Sequence, residues 1–247
     1  MSTRSSSGCS DRISMRLAVL SDIHGNLRAL EAVHARIKDN SPDIIVNLGD
    51  CLSGPLWPEE TAQYLIAQNW PTVRGNHDRV LIEPPASGLE DVDAFTHHCL
   101  SQTSLAWLLA LPIALTLAPE ILLCHGSPSD DETFLLEEDG GNHFYPSNQK
   151  EIRHKLGSID AGLTLCGHTH TPRVVRLSDR QTILNPGSVG VQAFPGLTVT
   201  GSPHARYALA RTSAENGRSA ITRSVMTGPK HPAARRRPAS TVGHTDC

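Results

Sequence analysis

The chain has no apolar run approaching the roughly 20 residues needed to cross a bilayer, and its N-terminus lacks a hydrophobic region of signal-peptide type. A membrane protein is therefore not expected, and a cytoplasmic one is. Nor is there an excess of either charge: 22 Lys and Arg stand against 25 Asp and Glu, a balance that gives no general argument for nucleic-acid binding. The six cysteines contain no C-x-x-C pair. Three of them, Cys51, Cys124 and Cys166, adjoin the polar blocks described next, so reduced, buried thiols are expected rather than a disulfide framework. No internal repeat is present. At 247 residues the chain is ample for one α/β core and short for two comfortable domains.

What the sequence does contain is a series of five blocks, SDIHGN, NLGD, RGNHD, CHG and CGHTH, spread over about 150 residues from Ser21. Each alone is weak. Their placement raises the signal, because each lies where a short, apolar, β-branched stretch gives way to a glycine-containing turn. LAVLSD precedes His24, DIIVNLGD ends at Asp50, PTVRGNHD carries Asn76 and His77, ILLCHG ends near His125, and LTLCGHTH ends in His168 and His170. Short apolar runs alternating with helical patterns predict buried strands of an α/β sheet. Loops at the carboxyl ends of such strands gather on one crevice, which would bring distant residues together.

Asp22, His24, Asp50, Asn76, His125, His168 and His170 supply hard oxygens and imidazoles with no thiolate. That donor set suits Mn, Fe, Zn, Co or Ni rather than calcium. Asp22 and His24 stand two apart just past a strand and can project to one side, and the same holds for His168 and His170. A carboxylate such as Asp50 can bridge two cations about 3.5–4 Å apart and reduce their repulsion. Two divalent ions balanced by only two carboxylates would leave positive charge to attract an anion.

The set D-x-H, GD, GNHD, H and GHTH, followed by NPGSVG at residues 185–190, resembles the calcineurin-like metallophosphoesterases. Residues 16–207 look most like their small bacterial and archaeal single-domain branch. The resemblance implies a four-layer αββα sandwich. It implies two divalent ions, the first held by Asp22, His24, Asp50 and His170 and the second by Asp50, Asn76, His125 and His168. By the same resemblance His77 is the catalytic histidine, facing phosphate without ligating metal, and Asp78 orients it. The implied activity is hydrolysis of small phosphomonoesters or phosphodiesters. The same core also serves protein serine/threonine phosphatases and dinucleoside polyphosphate hydrolases, because substrate choice lies in the loops. A non-catalytic scaffold would be expected to lack ligands or His77, and this chain has them all.

The rest of the chain is expected to frame that site. Residues 1–14 are Ser-rich and read as a disordered extension, with the phosphoesterase domain over 15–228. Residues 229–247 hold three prolines and the run Arg235 to Arg237, a disordered basic tail and the one segment that could touch RNA or acidic lipid. Asn26 should cap a helix with Leu27, Leu30, Val33 and Ile37 on one face, and Pro58 should open a second through Gln68. Residues 81–120 interrupt the strand pattern with a loop and a helical stretch at about 94–111, a lid or groove wall. Glu137 to Asn148 reads as another loop near the mouth. Late strands are expected at Arg173–Leu177, Thr182–Leu184 and Arg206–Ala210, with only a weak pattern beyond. His34, His97, His98, His143, His154 and His204 read as structural. Arg74, Arg79 and Arg206 could touch phosphate, though a solvated or structural role is the ordinary one for each, and the NPGS segment should form a supporting turn.

Overall fold

In a computed structural model of the protein, the described residues are 14–192 apart from 86 and 142, then 204–212, and the backbone of 219 and 220. The expected N-terminal extension (save Ser14) and basic tail lie outside them.

The chain starts with strand β1 (Arg16–Leu20), helix α1 (Leu27–Lys38) and strand β2 (Ile44–Asn47). Asn26 does cap α1, its side chain accepting the Ala29 N–H at 3.1 Å, and Leu30, Val33 and Ile37 are buried beneath it. Helix α2 (Pro58–Gln68) has Pro58 in its first turn, where the missing N–H costs nothing. The 76–111 region forms three helices, α3 (Asn76–Ile82), α4 (Asp91–Cys99) and α5 (Gln102–Ala110). The single stretch expected over about 94–111 is thus broken at residues 100 and 101, because Ser101 turns its hydroxyl onto the Ser104 N–H and caps a new helix.

Next come β3 (Ala114–Ala118), β4 (Ile121–Cys124), β5 (Glu137–Asp139), β6 (Phe144–Pro146) and α6 (Gln149–Leu156). The strand pattern therefore resumes inside residues 81–120. The segment from Glu137, expected as a loop, is a hairpin in which Glu137 pairs with Pro146 and Asp139 with Phe144. Its three-residue strands are too short to show a period. The last strands are β7 (Leu163–Leu165), β8 (Arg173–Arg176), β9 (Thr182–Asn185), β10 (Ala208–Thr212) and β11 (Ser219–Ala220). The tenth begins two residues later than expected, and the sheet continues past it, since β11 pairs antiparallel with β10.

Beside the β5-β6 hairpin there are two larger sheets, one ordered β11-β10-β1-β2 and the other β3-β4-β7-β9-β8. Strand alternation sorts the side chains into layers. Leu17 and Val19 of β1 pack with Val46, Ile121, Leu123, Leu163, Leu165 and Leu184 between the sheets. Ala18 and Leu20 face the other way, against Leu30, Val33 and Ile37 of α1 and Ala62 and Leu65 of α2. On the far side, Ile152 and Leu156 of α6 cover Cys124, Cys166 and Ile183. The architecture is the four-layer αββα sandwich. Among the described residues no helix is long and apolar enough to cross a membrane.

Parallel pairing of β1 with β2, and of β4 with β7 and β7 with β9, points five carboxyl ends in common directions within their sheets. Four of the five polar blocks follow such ends, and RGNHD follows the isolated bridge of Thr72 to Asn47.

Candidate metal centre

Asp22 and His24 follow β1, Asp50 follows β2, His125 follows β4, and His168 and His170 follow β7. Asn76 opens α3, with Gly75 as its N-cap. Five of these residues hold left-handed backbone: Asp22 (φ 56°), His24 (49°), Asp50 (52°), His168 (69°) and His170 (52°). Side-chain-bearing residues adopt that region rarely, at a cost of about 1–3 kcal/mol each, and such strain clusters at functional sites. Backbone bonds between blocks hold it. The Ile23 and His24 N–H groups both donate to the Asp50 carbonyl at 2.9 Å, and Gly167 N–H donates to the His125 carbonyl at 2.8 Å.

The side chains converge in two groups that share Asp50. Asp22, His24, Asp50 and His170 form one, and Asp50, His125 and His168 the other, each group offering ligand atoms within 4.8 Å of one another. Asn76 joins the second group, its Oδ1 lying 3.1 Å from His125 Nε2. Backbone carbonyls orient the rings. His24 Nδ1 meets the Ser53 carbonyl at 2.8 Å and His125 Nδ1 meets that of Leu48 at 2.7 Å, which leaves both Nε2 atoms turned inward. His168 is reversed: its Nε2 meets the Glu132 carbonyl at 2.9 Å, so Nδ1 is the inward atom.

The electrostatics fit a cation. Both oxygens of Asp22 are buried without a hydrogen-bond partner, and its Oδ1 lies 3.3 Å from His170 Nε2 and 4.0 Å from His125 Nε2. A fully buried carboxylate in that state is costly unless positive charge faces it. Burial raises the pKa of Asp50, but His125 and His24 outweigh it and hold the carboxyl well below its usual range. Burial likewise opposes protonation of His125, yet Asp50 and Asp22 win and push its pKa up to about 10. His125 thus takes the cationic part between the carboxylates, a place a metal ion competes for by displacing the proton. His24 and His168 are pushed down to about 4, chiefly by burial, and stay neutral donors. Burial keeps Cys51, Cys124 and Cys166 as thiols, so no thiolate enters the centre.

His77, half-exposed, stands edge-on to His24 with ring centroids 5.5 Å apart, and its backbone N–H donates to Asp50 Oδ1 at 3.0 Å. Asp78 does not orient the His77 ring. Its oxygens point into the protein and accept the Cys51 N–H at 2.8 Å and the Gly75 N–H at 3.1 Å, so it shapes the turn that carries Asn76 and His77. The carboxylate beside the ring is Asp93 of α4, 3.6 Å from His77 Nδ1 and accepting a hydrogen bond from the Ser53 hydroxyl. Sequence reading missed Asp93. Its only trace is that Asp93 and Thr96, three apart on an otherwise exposed helix, are both buried, and burial is not written in the sequence.

The supporting turn forms as expected. Asn185 donates to the Gly167 carbonyl at 2.6 Å, and Ser188 Oγ donates to the Asp22 carbonyl at 2.8 Å. A Cβ on Gly190 would lie 1.8 Å from the Ile23 carbonyl oxygen, so Gly190→Ala must move backbone beside Asp22 and His24. It should destabilise by about 1–3 kcal/mol and lower the melting temperature by several degrees; an unchanged melt would show that this turn gives way easily. Of the arginines, Arg79 pairs with Asp131 and Glu132, Arg74 Nη1 stands 3.6 Å from Glu83, and Arg206 reaches the Gln192 carbonyl at 3.3 Å. His34, buried, bonds the Tyr64 hydroxyl at 2.5 Å, in keeping with a structural part.

Comparison with known proteins agrees with this fold. A solved metallophosphoesterase from Sphaerobacter thermophilus superposes with a TM-score of 0.64 at 26% identity, covering 86% of this chain and 88% of its own. An uncharacterized protein of Methanocaldococcus jannaschii is 25% identical over 201 residues, 70% of this chain and 76% of that one. A point mutant of a cold-active protein tyrosine phosphatase shares the fold at a TM-score of 0.51 and 15% identity, over 84% of this chain and 80% of that one. The model of the calcineurin-like phosphoesterase superfamily domain matches residues 15–214, a span that takes in every residue of the two donor groups. The chain belongs to that superfamily.

Proposed function

We propose that the protein hydrolyses phosphate esters at this centre, acting on phosphomonoesters or phosphodiesters. Asp22, His24, Asp50 and His170 hold one divalent ion, and Asp50, Asn76, His125 and His168 hold a second. The observation that carries this reading is the pair of donor groups joined through one buried carboxylate, in which neither oxygen of Asp22 receives a hydrogen bond. Divalent ions held there supply Lewis-acid stabilisation of a phosphoryl group and lower the pKa of water from about 15.7 towards about 7.

The chain's own groups do the rest. Asp50 is pinned by the His77 N–H, so the shared carboxylate and the catalytic turn keep a fixed relation. His77 Nδ1 lies 3.6 Å from Asp93 Oδ1, which leaves the Nε2 side of the ring to donate a proton to the leaving oxygen. Asp93 also takes the Ser53 hydroxyl, and the Ser53 carbonyl orients His24, so one acid supports both rings.

The test is removal and return of metal. Chelation should abolish turnover of aryl phosphate monoesters and diesters, readdition of Mn or Zn should restore it, and elemental analysis should find two ions per chain. Full activity after rigorous metal removal would overturn the reading.

A further inference from the structure

Arg79 lies three residues past Asn76, on the same face of α3. Its guanidinium is taken up by two carboxylates. Nε reaches both oxygens of Asp131, at 3.1 and 2.9 Å, and Nη2 pairs with the Glu132 carboxylate. Asp131 is buried. The backbone carbonyl of Glu132 is also the group that receives His168 Nε2 and so turns Nδ1 of that ring inward. The loop that presents it is built stiffly: Asp130 accepts the Glu132 N–H at 3.0 Å and the Thr133 N–H, and takes the Ser127 and Thr133 hydroxyls. Arg79, chiefly through the buried Asp131, thus ties the helix that carries Asn76 to the loop that orients His168.

We propose that the Arg79–Asp131 pair is a brace that sets the spacing of Asn76 and His168, and with it the affinity of the second metal position, leaving the first position untouched. The proposal rests on the two-ion reading above. Arg79 acts here as a positioning residue, through the loop. A planar guanidinium held by Nε on Asp131 and by Nη2 on Glu132 fixes direction as well as distance, which a lysine ammonium cannot reproduce. His24 and Asp22 have other supports, in the Ser53 carbonyl and the 185–190 turn, away from this loop.

The experiment titrates manganese into the chelated full-length protein and reads ions bound per chain. The wild-type protein should take up two ions. Arg79→Ala should fill one position at the wild-type midpoint and require about 10- to 100-fold more manganese for the other, the usual scale for loss of an outer-shell partner. Asp131→Ala should give the same shift, the double variant no further loss, and Arg79→Lys an intermediate one. Melting of the metal-free proteins shows whether each is folded, and Arg79→Lys keeps the test open should Arg79→Ala fail to fold. Uptake of both ions by the folded Arg79 variants at wild-type midpoints would overturn the brace. So would equal weakening of both positions, or intact metal binding with a raised KM for phosphate esters, which would make Arg79 a substrate contact. A wild-type protein that binds no manganese would defeat the metal reading itself, and the brace with it.

Discussion

Asp50→Ala should strip the protein of metal and of activity together. Asp50 is the one carboxylate in both donor groups, with Oδ2 3.3 Å from His125 Nε2 and 3.7 Å from His24 Nε2. Without it, two cations would face each other across a gap holding only neutral donors and Asp22, with less charge to offset their repulsion. Affinity should fall by more than about 100-fold, beyond what loss of an outer-shell partner costs. Asp50→Asn should behave almost as badly, because the amide keeps the shape but loses the charge. Elemental analysis after dialysis reads the outcome. Two ions retained by Asp50→Ala would remove Asp50 from the centre.

His77→Ala should do the opposite: keep both ions and lose turnover by about 10²–10⁴. The side chain supplies no atom to either donor group, and the bond to Asp50 comes from its backbone, which alanine retains. If His77 donates a proton to the leaving oxygen, the loss should shrink for esters of acidic alcohols, which leave without help. Asp93→Asn should give a smaller loss, about tenfold, with both ions still bound and the same dependence on the leaving group. A structural role for Asp93 would lower turnover equally for all esters. Loss of metal from His77→Ala would make His77 structural, and unchanged turnover would take it out of the mechanism.

Much of the fold was legible because its signals are local. The cap at Asn26, Pro58 in a first turn and the apolar runs before Asp22, Asp50, His125 and His168 depend on a few adjacent residues, and those elements formed as expected, whereas the stretch before RGNHD makes only a bridge. Misreadings at the edges of the sheets fell where a strand is made by its pairing and not by its own pattern. The hairpin at Glu137 exists only through cross-strand pairing, and Ser219 and Ala220 form a strand because the edge of β10 is there to be paired.

The site divides in the same way. By itself the sequence determined the donor inventory: seven candidate oxygen and nitrogen donors, a neighbouring histidine and the glycine-containing turns that bear them, since chemistry and spacing are properties of the chain. Only the tertiary structure decided which carboxylate accompanies His77, how Arg79 is used, and which nitrogen of each imidazole faces inward. Asp93 lies 16 residues from His77 on a separate helix, and the carbonyls of Leu48, Ser53 and Glu132 that orient His125, His24 and His168 belong to residues whose identity carries no signal. Backbone groups are the same at every position, so their part in a site is set by where the fold brings them and not by which residue bears them.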